Sequence, residues 1–214
     1  MLKQGAPFFF NKMNRKKFLF SAGLTALSAS VFGSVKLDSL GGFKGDCETT
    51  NDILGPFYRE NAPIRSDLTH SGMEGSIIKL KGRVFKEDCT SPIEQALVEI
   101  WHCNTLGEYD NESDAFHQRA RLYSDKLGAY EFKTIMPGKY LNGALYRPSH
   151  IHYRVTAPGF KELISQIYFT GDPMIAKDPW ASDKKAIHRI LNVYPDGTNG
   201  ALTIDFDIFM KSEG

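Results

Sequence analysis

The 214-residue sequence has almost no net charge: 26 Lys and Arg stand against 25 Asp and Glu, leaving +1. The two signs are interleaved, so no single-sign field is available to draw a nucleic acid or an anionic membrane surface. No internal repeat or low-complexity block is present, which excludes solenoids, propellers and fibrous arrays. Cysteine is scarce, three in all, and an odd number cannot pair completely. In an oxidising compartment Cys47 and Cys89, both in polar, loop-like surroundings, could join and leave Cys103 in a strand; no spacing requires that bond. What remains is 42% hydrophobic and 24% charged. That is the balance of a globular domain large enough to bury its own core.

The longest apolar stretch, residues 18–33 (FLFSAGLTALSASVFG), follows Arg15, Lys16 and Lys17. A basic head before a short, small-residue apolar segment is the layout of an export signal, and it is too short for a comfortable membrane span. No polar stripe of helical period runs through it. Residues 1–33 are therefore read as an export signal, for the general secretory route or, through Asn14-Arg15-Lys16-Lys17-Phe18-Leu19, the twin-arginine route with Lys replacing the second Arg. Residues 34–54, rich in Gly, Ser, Thr and Asp, are read as a linker, and 55–214 as the folded domain.

From residue 75 onward, short runs rich in Val, Ile, Phe, Tyr and Thr alternate with Gly, Pro, Asn and Asp. This pattern predicts an all-β domain, with strands near 76–85, 96–104, 129–136, 149–157, 163–170 and 201–210 and a short helix near 179–189. In the last strand Leu202, Ile204, Phe206 and Ile208 alternate with Thr203, Asp205 and Asp207, which fits one sheet of a β-sandwich. The segments 105–128 and 138–148 are long loops for such a domain, and long loops on a rigid scaffold are where sites are built.

The chemistry-bearing residues gather around those loops. In Arg147-Pro148-Ser149-His150-Ile151-His152 the strand period of two puts both imidazoles on one face, about 6.6 Å apart along the backbone, where they can bind one metal. Taken alone, such a pair is more often an exposed strand-face feature than a ligand set. Its neighbourhood is more specific: Trp101-His102-Cys103-Asn104-Thr105-Leu106-Gly107-Glu108-Tyr109, Met136-Pro137-Gly138-Lys139-Tyr140, Leu163-Ile164-Ser165-Gln166-Ile167-Tyr168-Phe169, and Gly55-Pro56-Phe57-Tyr58. Together and in this order these segments resemble the intradiol ring-cleavage dioxygenases, the group containing protocatechuate 3,4-dioxygenase and catechol 1,2-dioxygenase. The resemblance spans residues 50–210.

It implies a mononuclear, non-haem ferric ion, Fe(3+), held by Tyr109, Tyr140, His150 and His152, with Tyr140 the ligand that substrate displaces. Phenolates are hard anionic donors that favour iron in its ferric state. The resemblance makes Arg147 the cation that stabilises charge on the bound ring, Gln166 a residue that orients the Arg or the ring environment, and Pro56 and Tyr58 part of the pocket mouth. The implied reactants are a small aromatic diol and dioxygen, and the implied product is a muconate-type dicarboxylic acid. The expected partners include no nucleic acid and no lasting membrane insertion once the signal is removed; a homo-oligomer is compatible with the sequence.

His102 is read as a packing residue, His70, His117 and His188 as surface residues, and Tyr168 as core or surface. Two rivals remain: an exported β-sandwich module that binds aromatic or carbohydrate ligands without turnover, and an enzyme using another metal through His150 and His152. The first predicts no iron. The second predicts a carboxylate or third histidine as ligand.

Overall fold

The alternating apolar positions of the strand segments need two layers to cover them, and that is how the chain folds. The computed structural model describes residues 36–37, 43–44, 47–197 and 200–214, all within one unit, Phe32–Gly214. The expected export signal lies outside the described residues. Fourteen strands are described: β1 Lys36–Leu37, β2 Phe43–Lys44, β3 Ile77–Lys86, β4 Leu97–Trp101, β5 Arg119–Tyr123, β6 Ala129–Ile135, β7 Leu141–Asn142, β8 Leu145–Tyr146, β9 His150–Thr156, β10 Leu163–Phe169, β11 Ile190–Leu191, β12 Tyr194–Pro195, β13 Leu202–Asp205 and β14 Ile208–Met210. One sheet runs β11-β10-β9-β4-β5; the other runs β12-β13-β3-β14, with β6 also paired to β3.

The expected all-β sandwich is found. Ile78, Leu80, Val84, Phe132 and Ile204 of one sheet meet Val98, Ile100, Ile151, Tyr153, Val155 and Ile167 of the other in a single apolar cluster. All are essentially excluded from water, and at about 25 cal/mol per Å² their burial is the main stabilising term. In β9 the odd positions Ile151, Tyr153 and Val155 face this core, which turns His150, His152 and Arg154 to the opposite face of the sheet.

Four expectations are corrected. The predicted loop 105–128 contains β5, missed because Arg119-Ala120-Arg121-Leu122-Tyr123 is short, has no β-branched residue and offers only Ala120 and Leu122 to the core; it pairs with β4 from Trp101↔Arg119 to Leu97↔Tyr123. The last strand is split into β13 and β14, because the Asp207 carboxylate accepts the Arg83 N–H where a strand carbonyl would do so. Cys103 lies past the end of β4, and the helix near 179–189 is only a 3₁₀ turn, Lys184–Arg189, capped by the Asp183 side chain. Among the described residues no helix is long and apolar enough to cross a membrane.

Residues 47–54 of the supposed linker are fastened to the sandwich. The Cys47 and Asp52 N–H groups donate to the carbonyls of Glu87 and Ile164, and the Thr49 backbone N–H and side-chain oxygen bond both backbone groups of Phe209. Cys47 is joined to Cys89 by a disulfide, 42 positions apart in sequence. Closing a loop of that length restricts the unfolded chain by about 4 kcal/mol on the chain-entropy account. The double variant Cys47→Ser/Cys89→Ser, compared by denaturant unfolding under non-reducing conditions, is expected to be about 2–4 kcal/mol less stable.

Candidate active site

The outer face of the β4-β9-β10 sheet carries the site. Register places Trp101 and Gln166 on either side of His152, and Tyr168 beside His150. The two imidazoles are buried, their ring centroids 5.0 Å apart. Trp101 stacks on His152 at 4.8 Å. The indole fixes that ring from one side.

Two loops deliver the tyrosines. Asn104 folds the first: its Oδ1 accepts the N–H groups of Leu106 and Glu108, and its backbone carbonyl accepts those of Gly107 and Gly138. Gly107 has φ +85°, and a Cβ there would stand 2.3 Å from the Lys139 carbonyl oxygen. Only glycine lets the two loops lie this close. The packing brings the Tyr109 and Tyr140 rings edge to face at 5.8 Å. Tyr109 reaches His150, with its hydroxyl 3.2 Å from Nε2, whereas the Tyr140 hydroxyl donates to Asn142 Oδ1 at 3.4 Å. Tyr140 lies with its ring 6.5 Å from that of His150.

All four residues expected at the centre therefore converge, and protonation can be assigned. His150 Nδ1 lies 2.7 Å from the Pro148 carbonyl, which can only accept, so Nδ1 carries the hydrogen and Nε2 presents its lone pair to Tyr109. Burial, then the Arg147 charge, lowers the His150 pKa to about 4, and His152 is pushed well down by burial and by His150. Both imidazoles are neutral near pH 7. Burial raises the Tyr109 phenol well above the usual tyrosine range, against the opposing pull of Arg147 and Arg119. Tyr109 thus keeps its proton until a cation takes its place. His152 Nδ1 is buried without a hydrogen-bond partner. Two neutral imidazoles and two phenols, one buried nitrogen unsatisfied, fit a metal taking nitrogen and phenolate oxygen donors.

The pocket-mouth segment sits differently from expectation. Phe57 packs directly on the tyrosines, its ring stacking on Tyr109 at 4.2 Å and meeting Tyr140 edge-on at 5.2 Å, while Tyr58 meets Trp101 edge-on at 5.0 Å. Tyr58 is turned to another cluster, where its hydroxyl accepts from Arg154 and donates to Glu99. Pro56 is exposed at the turn between them. Gly55, at φ +75°, backs onto His152; a Cβ there would lie 3.0 Å from Cε1. Arg119, 1% exposed, ties this segment to the Tyr109 loop by donating to the carbonyls of Phe57 and Asp110 and to Asn111.

Arg147 and Gln166 belong to one buried network. Arg147 forms a two-point ion pair with Asp178, Nε to Oδ2 at 2.7 Å and Nη2 to Oδ1 at 3.3 Å, beneath the Trp180 ring at 4.4 Å. Its Nη2 also reaches the Tyr168 hydroxyl, which donates to Asp52 at 3.0 Å. Asp52 pairs in turn with Arg189. Gln166 does not bond Arg147; its Nε2 donates to Asp52 and the Ile53 carbonyl, holding the N-terminal strap of residues 47–55 against β10.

Sequence reasoning missed Phe57, Asp52, Arg119, Tyr168 and Asp178. Phe57 and Tyr168 lay inside the ordered motifs; Asp52, Arg119 and Asp178 signal their role through burial, which no spacing reveals. His102 packs as expected, bonded to the Cys103 carbonyl and Thr134. His70 and His117 are not independent surface residues: their rings lie 4.8 Å apart, on the wall of a 440 Å³ cleft that Tyr109 also lines.

Comparison with known proteins agrees with this geometry. The family model described as Dioxygenase (Dioxygenase_C) matches residues 53–212. Catechol 1,2-dioxygenase 2 of Acinetobacter lwoffii is 36% identical over 150 residues, covering 61% of this chain and 54% of that protein. The protocatechuate 3,4-dioxygenase beta chain of Burkholderia cepacia is 31% identical over 188 residues, covering 77% and 80%. The dioxygenase domain of a dioxygenase carbohydrate-binding protein fusion from Streptomyces sp. SirexAA-E superposes with a TM-score of 0.68 at 28% identity, covering 78% of this chain and 99% of that one. The chain belongs to the intradiol ring-cleavage dioxygenases, a family of oxidoreductases. It spans about half the length of the first of these relatives and four-fifths of the second.

Two outcomes follow from the site. Gly55→Ala forces a side chain into left-handed backbone at a cost of about 1–2 kcal/mol and presses on His152; the thermal melting midpoint should fall. The neutral histidines predict acid sensitivity of the metal-free protein. His102 and His150 have native pKa values of about 4, against about 6.5 unfolded. The unfolded chain binds more protons between those values, so stability drops as pH falls from 6.5 to 4. Thermal melts across that window should show a falling midpoint.

Proposed function

We propose that the protein is a ferric, non-haem intradiol dioxygenase that inserts both atoms of O2 into a catechol-type diol and yields a muconate-type dicarboxylic acid. The observation that carries this reading is the convergence of His150 Nε2 on the Tyr109 hydroxyl at 3.2 Å, with Nδ1 pinned by Pro148 and the Tyr140 ring alongside. The four residues that would hold the iron are Tyr109, Tyr140, His150 and His152. When bound, the ferric ion supplies a Lewis acid that draws electron density from a chelated diol and makes its ring open to dioxygen.

The chain's own groups do the rest. Tyr140, whose hydroxyl makes an exposed contact to Asn142, is the side chain that as a phenolate would leave and accept a diol proton, while Tyr109, stacked under Phe57 and bonded to His150, stays in place. Arg147 supplies a fixed positive charge, which also favours the Tyr109 phenolate and can stabilise negative charge developing on the ring. Phe57 and Trp101 wall off water from the tyrosine and histidine rings they cover. The Cys47–Cys89 disulfide supports an oxidising compartment, in keeping with export of the chain after loss of residues 1–33.

Variants of the four residues test the reading. Tyr109→Phe and His152→Ala should lose iron and oxygen uptake with catechol together. Tyr140→Phe should keep part of its iron while binding the diol more slowly. Wild-type oxygen uptake in a folded Tyr109→Phe protein, or a purified wild-type protein with no ring-opened product after iron loading, overturns it.

A further inference from the structure

Arg147 is a long, flexible cation, and a charge useful to a reaction has to be held in place before the reaction begins. The segment Asp178-Pro179-Trp180-Ala181 had no assigned role in the sequence. In the structure it forms the seat of the guanidinium. The Asp178 carboxylate takes Nε and Nη2, and its Oδ1 also accepts the N–H groups of Trp180 and Ala181, so the acceptor is itself rigid. Both partners of the ion pair are almost wholly buried, with side chains 6% and 2% exposed. The Trp180 ring covers the guanidinium face at 4.4 Å, and the Tyr168 hydroxyl stands at the far side of Nη2. Nη1 takes no part in the ion pair.

We propose that Asp178, with Trp180 as its cover, is the positioning residue that fixes the Arg147 guanidinium beside the reacting diol. The proposal rests on the ring-cleavage reading above and adds to it a residue on a separate segment, 31 positions from Arg147. Asp178 touches no substrate. It acts by denying Arg147 the other rotamers, so its effect should pass entirely through Arg147.

The test is a cycle of variants, Asp178→Asn, Arg147→Gln and the pair together, with Trp180→Leu in both Arg147 backgrounds. Each is iron-loaded and assayed for kcat and KM with catechol, its iron content and melting midpoint measured alongside. Asp178→Asn should lower kcat about 10- to 100-fold, the scale expected when a reacting group is misplaced by about 1 Å, with KM moving far less. In the Arg147→Gln background the same substitution should change kcat by less than about twofold, since two groups acting as one unit are not additive. Trp180→Leu should lower kcat only where Arg147 is present, and it serves in place of Asp178→Asn if burying an unpaired Arg147 prevents that variant from folding.

An independent readout comes from the metal-free protein: the Arg147 Nε–H, bound to a buried carboxylate, should give a slowly exchanging nitrogen-15 resonance that Trp180→Leu weakens and Asp178→Asn removes. Equal losses in both Arg147 backgrounds, or unchanged kcat in a folded, iron-loaded Asp178→Asn protein, would overturn the proposal. A wild-type protein that shows the resonance but no turnover refutes the ring-cleavage reading instead, leaving the seat of Arg147 standing.

Discussion

The register of β9 between β4 and β10 governs the rest of the site. With Trp101, His152 and Gln166 in one row and His150 beside Tyr168, a two-residue alternation assigns each side chain of β9 to the core or to the site. Ile151, Tyr153 and Val155 lock that alternation by burial in the sandwich; a one-residue slip would bury the imidazoles in the core and expose the apolar set. The hydrophobic core therefore holds the histidines in place although it touches none of their nitrogens.

What surrounds that row comes from distant parts of the chain, each fixed by a different physical device. The tyrosine loops meet because Asn104 satisfies their backbone groups and Gly107 lets them touch. The N-terminal strap arrives through a disulfide and backbone bonds to β10 and β14, carrying Asp52, Gly55 and Phe57 to the Tyr168 hydroxyl, the His152 ring and the Tyr109 ring. Behind them the chain Asp178–Arg147–Tyr168–Asp52–Arg189 alternates charge inside the protein. Buried pairs of this kind add little net stability, yet losing one member strands a charge and costs about 3–5 kcal/mol. Their value lies in fixing geometry, and here they fix Arg147, whose charge acts on Tyr109 and His150.

How much of this the sequence disclosed follows from which interactions are local. Strand periodicity made β3, β4, β6, β9 and β10 legible, and ordered motifs pointed to Tyr109, Tyr140, His150 and His152, which the fold brings together. The Arg119–Tyr123 strand was illegible because it is short and carries two arginines, of which Arg119 is buried as a clamp between Phe57 and Asp110. Asp52 and Asp178 were illegible for a related reason. Each looks like an ordinary loop aspartate, and only its burial against an arginine from elsewhere in the chain distinguishes it. Tyr58, in the same motif as Phe57, meets Trp101 edge-on and bonds the Glu99–Arg154 cluster, contacts that its motif does not reveal.

The central claim is that two tyrosines and two histidines on this face make a ferric site open to a diol. The most direct measurement is the visible absorption spectrum of the purified protein with its iron content, before and after catechol is added under nitrogen. The account predicts about one iron per chain, a broad band from tyrosinate-to-iron charge transfer, and a shift of that band to longer wavelength when the diol binds. A folded protein that stays colourless after iron loading, or a band indifferent to catechol, would contradict it.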